Sequence, residues 1–134
     1  MSLIKLLNFQ SFGDERGCLI SLEQQKNIPF DIKRIYYLYN TETNIARGFH
    51  AHIELEQVAI CLKGSCRFIL DDGQSRESVL LNSPDVGLYI GNNQWREMHD
   101  FSDDCVLIVI ASELYDESDY IRDYNKFLRR VCNQ

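Results

Sequence analysis

Gln57-Val58-Ala59-Ile60-Cys61-Leu62-Lys63-Gly64-Ser65-Cys66-Arg67-Phe68-Ile69-Leu70 is the stretch that decides the fold. Two apolar, β-prone runs, Gln57 to Lys63 and Cys66 to Leu70, flank Gly64-Ser65. A two-residue glycine-containing connection between such runs predicts a tight β-hairpin. The pattern repeats outward. Asp71-Asp72-Gly73 predicts the next turn, followed by strands at Glu77 to Leu81 and Val86 to Ile90. Gly91-Asn92-Asn93 is a further turn, and Cys105 to Ala111 a further strand. Upstream, Ile32 to Tyr39 is rich in aromatic and β-branched residues. Ile4 to Phe9 and Gly17 to Leu22 are strands on either side of a Gly-Asp-Glu-Arg-Gly loop. Many short strands at this spacing predict an all-β, antiparallel small barrel or jelly roll, one domain over residues 1–134.

The C-terminal end departs from this pattern. Tyr120, Ile121, Tyr124, Phe127, Leu128 and Val131 fall on one face of a helix, which Asp116 or Ser118 can cap and Arg129-Arg130 can close. The 134 residues, 45% hydrophobic and 25% charged, suffice for a core without disulfides. Net charge is −6, which argues against nucleic-acid binding. No apolar run approaches the ~18 residues of a membrane span, and no secretory leader is apparent. Five scattered cysteines, Cys18, Cys61, Cys66, Cys105 and Cys132, without a C-x-x-C, predict reduced thiols in a cytoplasmic protein.

The chemistry concentrates in Arg47-Gly48-Phe49-His50-Ala51-His52. In an extended chain His50 and His52 share a face roughly 7 Å apart. Arg47 has the opposite parity, unless Gly48 bends the strand and re-aims it. Two imidazoles on one face serve either metal ligation or proton transfer. For metal, Glu56 follows at a suitable spacing, but the remaining histidine, His99, is misplaced for a further ligand. Tyr37 and Tyr39 share one face of their strand and Tyr36 takes the other; such a phenol either packs or donates to an oxyanion. Trp95 either fills the core or stacks on a base or sugar. No glycine-rich phosphate loop is present, so a nucleotide would need side chains such as Arg34, Arg47, Lys63 and Arg67.

PFDIKRIYYLY, RGFHAH with EQVAICLKGSCRFILDDG, SPDVGLYIGNNQWREMHDFS and IASELYDESDYIRDY occur in this order and spacing. Together they resemble the dTDP-4-keto-6-deoxyglucose 3,4-ketoisomerases, over nearly the whole chain. The resemblance implies a cupin-type β-barrel and a homodimer with exchanged strands. It implies conversion of a dTDP-linked 4-keto-6-deoxy sugar to its 3-keto isomer without metal or other cofactor, for 3-amino-3,6-dideoxy sugars of cell-surface glycans. By the same resemblance His50, His52, Tyr37 and Arg47 are the catalytic residues.

The reaction itself states what such a site must supply. A C4 ketone acidifies the C3 proton; its removal gives an enediolate, and a proton is returned to C4. Base, acid and oxyanion stabiliser must converge. The expectation is that His52 is the main acid/base and His50 its partner at the oxygens, with Tyr37 and Arg47 as stabilisers. Arg34, Lys63, Arg67 and Trp95 are the expected ligand-binding residues. The competing readings are a metal-dependent cupin enzyme and a non-catalytic cupin that binds a nucleotide sugar. The residues leave the C4 configuration of the product open.

Overall fold

The computed structural model describes residues 2–132. Twelve strands are β1 (Lys5–Asn8), β2 (Phe12–Asp14), β3 (Gly17–Leu19), β4 (Arg34–Leu38), β5 (Arg47–His52), β6 (Gln57–Lys63), β7 (Cys66–Asp71), β8 (Arg76–Leu81), β9 (Val86–Ile90), β10 (Trp95–His99), β11 (Val106–Ala111) and β12 (Tyr120–Ile121). One helix, α1 (Tyr124–Cys132), ends the described chain. Two five-stranded sheets form, in the orders β1-β9-β6-β11-β4 and β12-β5-β10-β7-β8, with β2-β3 as a separate hairpin. All strand pairs within them are antiparallel. The expected all-β jelly roll is therefore present, as an open sandwich of two sheets rather than a closed barrel.

The β6–β7 hairpin distributes one strand to each sheet. Its turn is pinned: Ser65 N–H donates to Ser102 Oγ at 2.9 Å, and Ser102 N–H donates back to the Ser65 carbonyl at 2.9 Å. Gly64 sits there at φ +72°, a conformation that glycine adopts without strain. The uninterrupted apolar run of β6 has a physical cause, since both its faces are covered. Ala59 and Cys61 point into the space between the sheets, with Phe68, Leu70, Leu88 and Leu107. Val58 and Ile60 point outward and are covered by Ile28 and Phe30 from the long connection before β4. The other sheet is covered on its outside by α1, where Phe127 packs on Ala51 and Trp95.

The C-terminal periodicity placed the helix start too early. Tyr120 and Ile121 pair with His52 and Ala51 as a strand, and α1 begins at Tyr124. Asp116 caps a short 3₁₀ turn at Glu117–Asp119, while Asp123 accepts from the Lys126 N–H at 3.0 Å and caps α1. Arg129 and Arg130 do lie in the last turn. The strand at Trp95–His99, central to its sheet, was not read as a strand from the sequence.

Candidate active site

Strand register decides which side chains meet between the sheets. His50 pairs with Arg96 of β10, and His52 pairs with Tyr120 of β12, so all four share the inner face. The three rings form a triangle: His50–His52 centroids are 4.8 Å apart, His50–Tyr120 5.0 Å and His52–Tyr120 4.4 Å. Asp119 lies behind them. Its Oδ2 is 3.0 Å from His52 Nδ1, and its carboxylate also accepts the N–H of Glu54 at 2.8 Å and of Leu55 at 3.3 Å. Those bonds fix the carboxylate, which in turn fixes the imidazole and leaves His52 Nε2 as its open nitrogen.

Beneath the rings lies a buried polar chain. The Arg96 guanidinium donates to Gln57 Oε1, and Gln57 Nε2 donates to the Tyr36 hydroxyl at 2.9 Å. Arg96 is only 1% exposed. Burial draws its pKa down to about 10. The same burial, together with the Arg96 charge, holds His50 at about 2 and His52 at about 3, with Arg122 adding to both and Arg34 to His52. Both imidazoles are therefore neutral at physiological pH, their basicity held below the ordinary ~6.5 by burial and the neighbouring arginines. His50 Nε2, His52 Nε2, Arg96 Nε, Arg34 Nε and Arg34 Nη2 are buried without a hydrogen-bond partner. Such atoms are rare in native structures and their clustering marks a place built for a ligand.

His50 and Arg34 border a cavity of about 330 Å³ whose lining also includes Tyr36, Tyr120, Arg122 and Arg47, with Tyr37 on its wall; His52 and Arg96 lie behind that lining. Arg34 lies 5.2 Å from the Tyr36 ring centroid and 5.5 Å from that of Tyr115. Arg122 lies 4.3 Å from the Tyr120 centroid and is tied to Glu117 at 2.9 Å. Gly48 adopts φ +78°, and the β5–β10 register shifts beside it, which brings Arg47 to the cavity despite its parity. An arginine-rimmed, aromatic-walled cavity with two neutral imidazoles suits an anionic ligand whose other end undergoes proton transfer.

Comparison with known proteins agrees. The family model described as FdtA, WxcM-like, C-terminal matches residues 2–132. A TDP-4-oxo-6-deoxy-alpha-D-glucose-3,4-oxoisomerase from Aneurinibacillus thermoaerophilus is 55% identical over 128 residues, spanning 96% of this chain and 92% of the relative. A 3,4-ketoisomerase from Helicobacter canadensis is 53% identical, with a TM-score of 0.95 over 98% of this chain and 99% of the other. A histidine-to-asparagine variant of a 3,4-ketoisomerase from Thermoanaerobacterium thermosaccharolyticum, solved with TDP-4-keto-6-deoxyglucose, is 43% identical with a TM-score of 0.96, covering 100% and 97% of the two chains. The chain belongs to the FdtA-type family of sugar 3,4-ketoisomerases.

Within this ketoisomerase fold, several expected site residues meet and others do not. His50, Arg47, Tyr37 and Arg34 line the cavity. His52, expected as the main acid/base, is fully buried and stands behind His50, which lines the cavity. Tyr37 is 66% exposed at the rim, whereas Tyr36, on the inward parity, reaches the buried chain. Trp95 is not at the cavity: it points to the outer face, packs on Tyr124 and Phe127, and its Nε1–H donates to Glu97 at 2.9 Å. Lys63 is exposed at the far end of β6, and Arg67 pairs with Asp100 at 3.4 Å; neither lines the cavity. Of the further ligands a metal reading would use, Glu56 bonds the Tyr89 hydroxyl and His99 bonds Glu97 at 2.9 Å.

Tyr120, Asp119, Arg96, Gln57 and Arg122 were missed. Tyr120 was absorbed into a helical periodicity. Asp119 lies 67 residues from His52, a separation at which no local pattern pairs them. For Arg96 one signal existed: it follows a turn with the parity opposite to Trp95, so placing either residue outside puts the other inside.

Proposed function

We propose that this ketoisomerase acts on dTDP-4-keto-6-deoxy-D-glucose and yields the 3-keto isomer by proton transfer through an enediolate. The carrying observation is the His50 imidazole on the wall of an arginine-rimmed cavity, with His52 held by Asp119 behind it and the Nε2 of each ring without a partner. The diphosphate binds along Arg34, Arg47 and Arg122, and the sugar enters toward His50. Anionic phosphates offset the positive field of Arg34 and Arg122, one of the influences that depress the imidazoles. Substrate binding thus raises the basicity of the histidines at the moment it is needed.

His50, on the cavity wall, takes the C3 proton, which the C4 ketone acidifies. The Tyr120 hydroxyl stabilises charge developing on the enediolate. A proton returns to C4, the C3 hydroxyl proton passes to the C4 oxygen, and the C3 ketone and C4 hydroxyl result. His52, held by Asp119 behind His50, relays that oxygen-bound proton. Tyr37 and Arg47 act at the rim as ligand-holding residues. The site needs no cofactor for this cycle. The 3-keto product carries the carbonyl that an amination requires, which supports a role in 3-amino-3,6-dideoxy sugar formation.

We read the enzyme as a cytoplasmic, single-domain protein working as a homodimer. Ile35, Tyr37 and Tyr39 are exposed on edge strand β4 and the residue just beyond it, and Phe12 and Leu19 on the unattached β2–β3 hairpin. Free edges of this kind invite pairing with a second copy. Among the described residues no helix is long and apolar enough to cross a membrane.

The decisive experiment is incubation with dTDP-4-keto-6-deoxyglucose in D₂O, followed by NMR, with and without EDTA. The expected result is the 3-keto sugar with deuterium at C4 and a rate unchanged by EDTA; the C4 configuration is read from the same spectrum. Absence of the 3-keto product, or a rate abolished by EDTA and restored by metal, would overturn the proposal.

A further inference from the structure

A second cluster of reactive side chains lies outside the cavity. Cys61 of β6, Cys66 at the start of β7 and Cys105 just before β11 bring their sulfurs within 4.8 Å of one another. Cys61 and Cys105 Sγ are 3.8 Å apart, and the Cys61 thiol donates to the Lys63 carbonyl at 3.2 Å. All three cysteines are at most 1% exposed. Cys61 is four residues along β6 from Gln57, so the cluster sits ~13 Å from the buried polar chain of the active site.

We propose that Cys61, Cys66 and Cys105 form a three-sulfur site for a soft monovalent cation of the Cu(I) class. Three sulfurs each at ~2.3 Å from one ion in a plane lie ~4 Å from each other, close to the separations present here. The three come from different segments, and those segments are already fixed. The Ser65–Ser102 bonds and the Cys105 N–H to the Ser102 carbonyl, at 3.1 Å, hold the loop against the hairpin. The donor set selects the ion. All-sulfur ligation favours thiophilic metals, whereas a structural Zn²⁺ site takes four ligands. Among the described residues no histidine, carboxylate or further cysteine joins the three.

Charge points the same way. A monovalent ion that displaces one thiol proton to solvent leaves the buried site neutral. A divalent ion would need two displaced protons and a fourth donor in apolar surroundings. One S–H bond breaks, copper–sulfur bonds form, and copper enters and remains as Cu(I), so no electron moves. The cluster adjoins the half-buried Gly64-Ser65 turn, beside which Leu62 and Lys63 are exposed.

The test uses the Cys18→Ser/Cys132→Ser protein, which lacks the two exposed cysteines. Anaerobic titration with Cu(I) against a chromophoric Cu(I) chelator is expected to show one ion per chain. X-ray absorption is expected to count three sulfurs around it, with the near-ultraviolet circular dichroism of the folded protein retained. Cys66→Ser in that background is expected to weaken the site by at least ~10²-fold, beyond what a change outside the ligand shell produces. The sulfur count on the parent protein decides the matter even if that variant does not fold. No bound Cu(I), a count of two sulfurs, Zn²⁺ held as tightly as Cu(I), or loss of the folded spectrum on binding would each overturn the proposal.

Discussion

The two faces of the β5–β10 pair carry clusters of nearly the same residue types with opposite bookkeeping of hydrogen bonds. On the inner face His50, His52, Arg96 and the adjacent Arg34 keep buried nitrogens without partners. On the outer face the polar groups are joined to one another. Asp71 accepts from the Tyr124 hydroxyl at 2.6 Å and from Arg76 at 3.0 Å. Glu97 accepts from Trp95 at 2.9 Å and meets His99 at 2.9 Å. A buried polar group without a partner costs about 1–3 kcal/mol, and a cluster of them persists only where something else completes it. The outer network fastens α1 to the sheet; the inner one leaves its nitrogens unpartnered beside the cavity.

This contrast can be broken from the catalytic side first. His50→Asn is expected to keep the fold and nucleotide binding while lowering kcat by ~10²–10⁴-fold, because an amide does not shuttle protons. Steady-state kinetics with dTDP binding by calorimetry checks this, and near-normal turnover would remove His50 from its role. Asp119→Asn comes next. It frees the His52 ring to reorient, and a misplacement of that kind lowers kcat by roughly 10²-fold with KM little changed. An unchanged kcat would make Asp119 merely a loop anchor.

A pH series sharpens the comparison energetically. His50 and His52 sit at about 2 and 3 when folded, against the ordinary value of 6.5. Between those values and 6.5 the unfolded chain binds protons that the folded chain refuses. Stability therefore falls as pH drops below 6.5, by up to about 1.4 kcal/mol per pH unit for each histidine. Urea midpoints at pH 7 and pH 5 read the slope, and His50→Asn is expected to flatten it. An identical slope in that variant would show the acid sensitivity to lie elsewhere. The smallest effect belongs to the outer face. Trp95→Phe removes one bond to Glu97 and is expected to lower stability by about 1–2 kcal/mol with KM unchanged. A raised KM would place Trp95 back with the ligand.

The sequence was most legible where one strand carries its own signal. The β6–β7 hairpin announces itself through two apolar runs about Gly64-Ser65, and β9 and β11 follow from apolar runs bounded by turns. His50 and His52 were legible for the same reason, since period-two geometry puts both on one face. β10 was opaque because Trp-Arg-Glu-Met-His is buried on both faces yet half polar, so neither alternation nor a continuous apolar run appears. Trp95 was read toward a ligand because aromatic rings suit stacking, but the parity that buries Arg96 inside sends Trp95 out beneath α1. Asp119 and Tyr120 depend on β12, a two-residue strand that exists only through its pairing with β5. Local propensity cannot specify so short an element; tertiary pairing does.

The β12 pairing also sets when the enzyme becomes an enzyme. During synthesis His52 leaves the ribosome 67 residues ahead of Asp119, at several residues per second. The two sheets can begin to associate before the carboxylate exists. Until Asp119 arrives and Tyr120–Ile121 pair with β5, His52 lacks the carboxylate that orients it and the two imidazoles lack the phenol that completes their triangle. A chain that has not yet laid down β12 therefore holds the two histidines without the carboxylate and the phenol that complete their cluster.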